Sequence, residues 1–358
     1  MQASNNDGSS MDSQRPFERI CIEATNVCNM ACSFCPNAQL PRKREVLGYR
    51  PFEELINNIV SRNLTKRISF TGTGEPTLDP FLPRRLNYCH KNGLRTQITT
   101  NGLRLKSIAN YLDSIDILFI SWQTASEKSF NLRNPYRWTY EAYVENILEF
   151  VEYVTTRIDS NPVIYISVIS NSRLSTPTRK IISDLYPGLG EQDDRSLVEV
   201  ASKIISVAPE KALISPREIS NHINQGLRND IRQFQLIDNI FLYCYQFFNW
   251  GGLLFDNMPN LSRKLTFTGK CQLFLEGPQI LANGDVVFCC IDAFGSTTFG
   301  NIQMEELSNI LDSESYKNAF TNFRKSVVNN SHCQRCLGEW RKRSLFGRWL
   351  RSFKDRYV

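Results

Sequence analysis

The chain has 358 residues, 41% of them hydrophobic and 22% charged, with a formal net charge of +6. That is a globular composition, long enough for one large domain or two ordinary ones, and no apolar run approaches the roughly 20 residues of a membrane-crossing helix. A mild basic excess does not by itself imply nucleic acid, and none is expected as a partner. Residues 1–16 are rich in Ser, Asn and Gln without an apolar core. They read as a disordered tail rather than a secretory signal, so the chain is expected to be cytoplasmic. Eleven cysteines are too sparse for a disulfide scaffold, and in a reducing compartment they point to metal or cluster ligation.

From Phe17 onward short β-prone runs alternate with helical stretches. Arg19 to Thr25 reads as a strand leading into a cysteine-bearing loop. Phe52, Leu55, Ile56 and Ile59 recur at helical spacing, which predicts a helix over 51–61 with Pro51 in its first turn. Ile68 to Thr71 is a second strand, Leu82 to Asn92 a helix stopped by Gly93, and Arg95 to Thr100 a third strand closing at Asn101-Gly102. Ile115 to Trp122, nearly all apolar, fits a strand covered on both faces. Tyr140 to Thr156 is a long helix and Val163 to Ser170 a fifth strand. This rhythm predicts a parallel sheet or βα barrel, and the chemistry-bearing residues fall just after strand C-termini, where barrels assemble their sites.

Beyond Asn171 the rhythm blurs. Leu197 to Val207 fits either a sixth strand or a helix. The aromatic run Phe241 to Trp250 reads as core or domain-packing surface, with a substrate wall as the sharper alternative. Asn283-Gly284 between β-prone runs predicts a hairpin over 279–288, and one helix is expected from Met304 to Val328. The end of the chain sets Arg341, Lys342, Arg343, Arg348, Arg351, Lys354 and Arg356 against Asp355 alone. Leu345, Trp349 and Phe353 recur there at four-residue steps. Such a helix either packs on the barrel with its basic residues in water, or docks peripherally on an anionic membrane or an acidic partner.

Cys28, Cys32 and Cys35 form a C-x3-C-x2-C triplet after the first strand. Three close thiolates wrap one soft metal centre, and three rather than four leave one iron of a 4Fe–4S cube open to another ligand. A zinc site short of a ligand and chance clustering are the plainer alternatives. With Phe34 before its last cysteine, the triplet resembles the signature of the radical S-adenosylmethionine (SAM) superfamily. The resemblance implies that the open iron chelates the methionine part of SAM. It further implies that the reduced cube cleaves SAM to a 5′-deoxyadenosyl radical that abstracts a substrate hydrogen, with a flavodoxin- or ferredoxin-type electron donor. It assigns the SAM amino group to Gly72, Thr73, Gly74 and Glu75, where Thr73 replaces a glycine and Glu75 keeps the acceptor an ammonium needs. It adds Asn101 at the end of strand three and Ser121 at the end of strand four, with Gln123 where an Asp is common. Arg133 matches an arginine that pairs the SAM carboxylate through its bidentate fork; a solvated helix-end charge is the alternative.

Cys271, Cys289, Cys333 and Cys336 form a second set, C-x12-G-x4-C followed by a distant C-x2-C, with Cys290 adjacent. Four thiolates suit either structural zinc or a second cluster on chemistry alone. The pattern resembles the auxiliary-cluster modules (SPASM) of radical SAM enzymes. No cysteine follows Cys336, which implies the shortened "twitch" form with a single auxiliary Fe–S cluster. Such a cluster has no open iron and is expected to accept an electron. Cys21, Cys89, Cys244 and Cys290 are read as buried small hydrophobes, and His90, His222 and His332 as surface or core residues.

The implied fold is α/β: a partial (β/α)6 TIM-like barrel of the radical SAM type over 17–210, with a small C-terminal auxiliary module over 265–340. An insertion or linker occupies 211–264 and the basic segment 341–358. The layout is similar to that of radical SAM enzymes that oxidise an alcohol on an aminocyclitol ring, so oxidation of a sugar, cyclitol or similar small polar metabolite is the leading expectation. A maturase of a ribosomally made peptide, served by a separate leader-binding protein, is the alternative. A zinc-stabilised protein without catalysis is a remote third, since it leaves Glu75, Ser121 and Arg133 unexplained.

Overall fold

Alternating apolar residues and amphipathic helices build one continuous sheet in the computed structural model, which describes residues 17–157, 162–247, 250 and 262–341. The tail expected at 1–16 and the basic segment from 342 onward, with Leu345, Trp349 and Phe353, lie outside the described residues. The strands are β1 (Ile20–Ile22), β2 (Arg67–Phe70), β3 (Arg95–Thr100), β4 (Ile117–Gln123), β5 (Val163–Ile169), β6 (Gln233–Ile237), β7 (Ile240–Tyr245), β8 (Ser262–Lys264), β9 (Gln279–Ile280), β10 (Asp285–Val287), β11 (Gly300–Asn301) and β12 (Glu339–Arg341). Ten of them run in the order β11-β10-β9-β1-β2-β3-β4-β5-β7-β6, and β8 pairs with β12 in a separate ribbon. β1 to β5 and β7 are mutually parallel, the six strands of a partial TIM-like barrel. Among the described residues no helix is long and apolar enough to cross a membrane.

The helices cover the outer face because their apolar stripes require it. In Tyr49–Ser61 the buried Phe52, Leu55, Ile56 and Ile59 follow i, i+3, i+4, i+7 spacing. Tyr140–Thr156 starts where the Thr139 hydroxyl accepts the Ala142 N–H, and it buries Tyr143, Ile147, Phe150, Val151 and Val154. These pack with Leu118, Ile120, Ile164, Ile166 and Leu242 from the sheet, each worth about 1.5–3 kcal/mol when fully buried. The alternate residues Phe119, Ser121, Gln123, Tyr165, Phe241, Tyr243 and Tyr245 are half-buried on the opposite, inner face.

One open alternative is resolved and two expectations change. Leu197 to Val207 lies in a helix, Asp194–Ser206, because Leu197, Val200, Ala201, Ile204 and Ile205 bury one helical stripe behind an Asp193 cap. The stretch from Met304 to Val328 is two helices, Leu307–Asp312 and Glu314–Arg324. Ser313 breaks it with ψ 149° and caps the second helix. The barrel's sixth strand is β7, inside the range expected as insertion or linker, so the barrel runs past residue 210. Its inner side carries aromatics and its outer side Ile240, Leu242 and Cys244, so no polar alternation marks it.

Candidate cluster and cofactor site

The loop after β1 is held by its own backbone partners before any ligand is considered. Asn37 Nδ2 donates to the carbonyls of Asn26 (2.9 Å) and Thr73 (2.8 Å), and Asn26 Nδ2 to that of Lys43 (2.7 Å). Ala31 and Ser33 N–H groups donate to the carbonyls of Arg133 (3.2 Å) and Leu132 (2.8 Å). That pairing brings the three thiols together at the mouth of the barrel, where Cys35 feels both Cys32 and Cys28. Burial pushes the Cys28 thiol up to about 11 and the Cys35 thiol to about 12. Burial also raises Cys32, against the pull of the Arg133 guanidinium beside it.

The donor set fits an iron–sulfur cube. All three ligating atoms are sulfur, and N–H donors already stand near them: Asn101 Nδ2 lies 3.8 Å from Cys28 Sγ, and the Arg133 guanidinium sits beside Cys32. Hydrogen bonds of this kind tune a cluster's potential. Raised thiol pKa values mean that ligation must release protons. Among the described residues no three Cys, His, Asp or Glu side chains are grouped as one metal ion requires; a cube gives each thiolate a separate iron, and so takes a wider triangle than a single ion bound at about 2.3 Å.

Arg133 is 1% exposed rather than a solvated helix end. Nη1 donates to the Trp122 carbonyl (2.9 Å) and the Tyr143 hydroxyl (2.8 Å), and Nη2 to the Asn101 carbonyl (3.1 Å). It therefore joins the ends of β3 and β4 to the cysteine loop. Glu75 is equally buried: Oε1 accepts from Thr77 N (3.1 Å), Thr77 Oγ1 (2.8 Å) and Thr100 Oγ1 (2.7 Å), and Oε2 from Asn101 N (2.6 Å). Burial pushes its carboxyl pKa up, and Oε2 retains acceptor capacity for a further donor. Gly72 and Gly74 sit where side chains do not fit, since an added Cβ would lie 2.7 Å from Glu23 Cγ and 2.0 Å from the Thr25 carbonyl oxygen respectively. Phe34 turns into an aromatic cluster, edge-on to Tyr186 (6.3 Å) and Phe247 (6.4 Å). Ser121 is on the inner face, and its carbonyl accepts from the Tyr143 hydroxyl (3.0 Å).

The second thiol set gathers around the hairpin β9–β10. Cys271 precedes the helix Gln272–Glu276, Cys289 follows β10, and Cys333 and Cys336 share one face of the helix Ser331–Cys336. Cys289 feels Cys271 and Cys336, and Cys333 feels the same two, so the four converge. Cys290 lies near Cys271 too, but its foremost charged neighbour is Arg19, and it also stands near Cys21 on β1. The module joins the barrel by strand pairing: β9 is parallel to β1, with Cys21 and Glu23 N–H groups donating to the Pro278 (3.0 Å) and Ile280 (2.8 Å) carbonyls.

Sequence reasoning missed two residues that organise this region. Glu23 accepts from Thr73 and Ala282, and Gln192 bonds the Gln123 (2.9 Å) and Ile169 (2.8 Å) carbonyls at the ends of β4 and β5. Neither sits in a motif. For Glu23 the sequence signal is a charged residue closing an otherwise apolar strand run; Gln192 lies in a loop with no such signal.

Fold and thiol sets together define a radical SAM protein with an added iron–sulfur module. The radical SAM superfamily model matches residues 22–171, and an iron–sulfur cluster-binding (SPASM) model matches 271–337. The chain thus carries a radical SAM domain and a SPASM domain, and the cofactors these imply are a 4Fe–4S cluster, SAM and additional iron–sulfur chemistry in the SPASM domain. It is 27% identical over 221 residues to the S-adenosylmethionine-dependent nucleotide dehydratase of Flammeovirga pacifica, covering 56% of this chain and 70% of that one. It is 31% identical over 120 residues to the "Probable GTP 3′,8-cyclase" of Metallosphaera sedula, covering 32% of this chain and only 37% of the cyclase. Among solved structures, Streptococcus suis SuiB shares the fold with a TM-score of 0.54 and 15% identity, over 86% of this chain and 68% of SuiB.

Proposed function

We propose that this protein is a dehydrogenating radical SAM enzyme acting on a sugar, cyclitol or similar small polar metabolite. One observation carries the reading: the two thiol sets stand on neighbouring strands of a single sheet, one on the loop after β1 and the other around β9 and β10. When bound, a first cube with SAM would supply radical chemistry for removing one hydrogen atom beside a substrate hydroxyl, and a second cluster would supply an acceptor for the electron left as a proton leaves. In this reading Cys28, Cys32 and Cys35 hold the first cube, and Cys271, Cys289, Cys333 and Cys336 the second. Glu75 Oε2 accepts from the SAM ammonium, on a loop whose Gly72 and Gly74 pack closely against Glu23 and Thr25 and whose Thr73 bonds Glu23. Asn101 and Arg133 donate toward the thiolates, Ser121 faces the chamber, and Phe34 closes its aromatic side. The first electron comes from a flavodoxin- or ferredoxin-type donor.

The test is anaerobic reconstitution with SAM, reductant and a panel of sugars, cyclitols and nucleotides. One 5′-deoxyadenosine per product lighter by two hydrogens supports dehydrogenation. A nucleotide substrate is the second reading, favoured by the 221-residue match to the nucleotide dehydratase; it predicts a product lighter by one water. Turnover with neither mass change overturns both.

A further inference from the structure

Glu23 is a carboxylate 2% exposed at the end of β1, directly before the cysteine loop. Its two oxygens serve different parts of the chain. Oε1 accepts from the Thr73 N–H (3.2 Å) and the Thr73 hydroxyl (2.7 Å). Oε2 accepts from the Ala282 N–H (3.1 Å) and lies 2.9 Å from Arg42 Nη1. Arg42 in turn donates from Nε (3.2 Å) and Nη2 (2.9 Å) to the Ala293 carbonyl. Both side chains of the pair are buried, at 8% and 1% exposure.

The residues joined here come from four distant segments: the Gly-Thr-Gly-Glu loop, the chain that continues the first cysteine loop, the β9–β10 hairpin at Ala282, and the turn just after Cys289. That turn is stiff, because Asp292 accepts from Ser296 N (2.9 Å), Thr297 N (2.8 Å) and the Thr297 hydroxyl (2.6 Å). A pull on Ala293 therefore moves the whole turn. The fit is also tight, since a Cβ at Gly72 would meet Glu23 Cγ at 2.7 Å. Buried polar groups that satisfy one another in this way act as a unit, and loss of one leaves another uncompensated.

We infer that Glu23 and Arg42 are positioning residues: they hold the turn after Cys289 in register with the loop carrying Cys28, Cys32 and Cys35. The departure at Thr73 has the same purpose, because its hydroxyl closes the lock that a glycine would leave open. The inference rests on the proposed electron-accepting role of the second thiol set. It has a consequence of its own: the loop assigned to SAM and the turn after Cys289 share one carboxylate, so occupancy of one is felt at the other, and reciprocally.

The test compares wild type with Glu23→Gln, Arg42→Met and Arg42→Lys in the reconstituted enzyme. Iron should stay at about eight per chain, two cubes of about four each. Amide exchange is then followed with and without SAM. In wild type, SAM should slow exchange across residues 289–297; in Glu23→Gln and Arg42→Met that protection should disappear and basal exchange there rise about tenfold, with partial rescue by Arg42→Lys. Where a substrate is in hand, 5′-deoxyadenosine formed per oxidised product should rise several-fold in the same variants. Unchanged exchange at 289–297 in both variants overturns the lock, and so does a rise spread evenly over the whole chain, which would mean general destabilisation. A variant that does not fold is replaced in the comparison by Arg42→Lys, whose unaltered SAM response and exchange would likewise overturn it. The exchange arm reads the lock even if no dehydrogenated product is found, so its failure is distinct from failure of the proposed activity.

Discussion

Burial pushes the Cys28 and Cys35 thiols up to about 11 and about 12, so binding metal as thiolates means exchanging their protons for it. The adjacent Cys289 and Cys290 differ in their charged neighbours. Both lie near Cys271, but Cys289 also lies near Cys336, whereas the foremost charged neighbour of Cys290 is Arg19. Cys289→Ala is expected to lower iron from about eight to about four per chain, while Cys290→Ala keeps about eight; a colorimetric iron assay decides, and equal loss in both variants would reverse the assignment. Any one of Cys28, Cys32 or Cys35 replaced by Ala should likewise leave about four irons and no 5′-deoxyadenosine. Retained SAM cleavage in such a variant would sink the first-cube assignment. These thiols were legible because a ligand loop is a short-range pattern. Glu23 and Arg42 were not, because their partners lie 50, 251 and 259 residues away along the chain.

Elements read well where one face is apolar and the other polar. Tyr140–Thr156 and Arg95–Thr100 have the bounds their periodicity predicts. The differences have separate causes: Ser313 breaks one helical run in two, and β7 carries no polar alternation. β7 shows aliphatic residues to the helices and Phe241, Tyr243 and Tyr245 to the barrel interior, so its two faces look alike in sequence. The first half of the aromatic run, Phe241 to Tyr245, is thus part of a barrel strand, with Tyr165 stacked on Phe119 at 4.8 Å and Phe241 5.3 Å from Tyr165. Docking of the C-terminal module depends on one element end. Gly277 has φ +152°, and a Cβ there would lie 1.9 Å from the Arg19 carbonyl oxygen. Gly277→Ala should therefore push β9 off β1 and destabilise by about 1–3 kcal/mol, with loss of second-set iron. Gly93 is the control: φ is +71° with nothing within 4 Å, so Gly93→Ala should cost about 1–2 kcal/mol with iron unchanged. Equal iron in the two variants, measured beside thermal melts, would show that β1–β9 pairing does not govern the module.

At the scale of the molecule, the C-terminal module is a continuation of the barrel rather than an appendage on a linker. Its hairpin extends the same ten-stranded sheet. Its own core is a ring cluster, with Phe274–Phe288 at 4.5 Å, Phe288–Phe299 at 4.7 Å, Phe299–Tyr316 at 5.0 Å and Phe274–Phe323 at 5.1 Å. None of those contacts needs a metal, and aromatic pairs contribute about 0.5–1.5 kcal/mol each beyond their buried area. Metal-dependent small domains unfold on chelation because binding supplies their folding free energy; here the sheet and rings supply part of it independently. Iron removal by chelation under reducing conditions should therefore lower the melting temperature without splitting the transition. The apo-protein should keep its near-ultraviolet aromatic dichroism and melt in one calorimetric step, because β9 cannot leave β1 without exposing the Cys21 and Glu23 amides that it satisfies. Two resolved transitions, or aromatic dichroism lost at room temperature, would mean that the clusters and not the shared sheet hold the halves together.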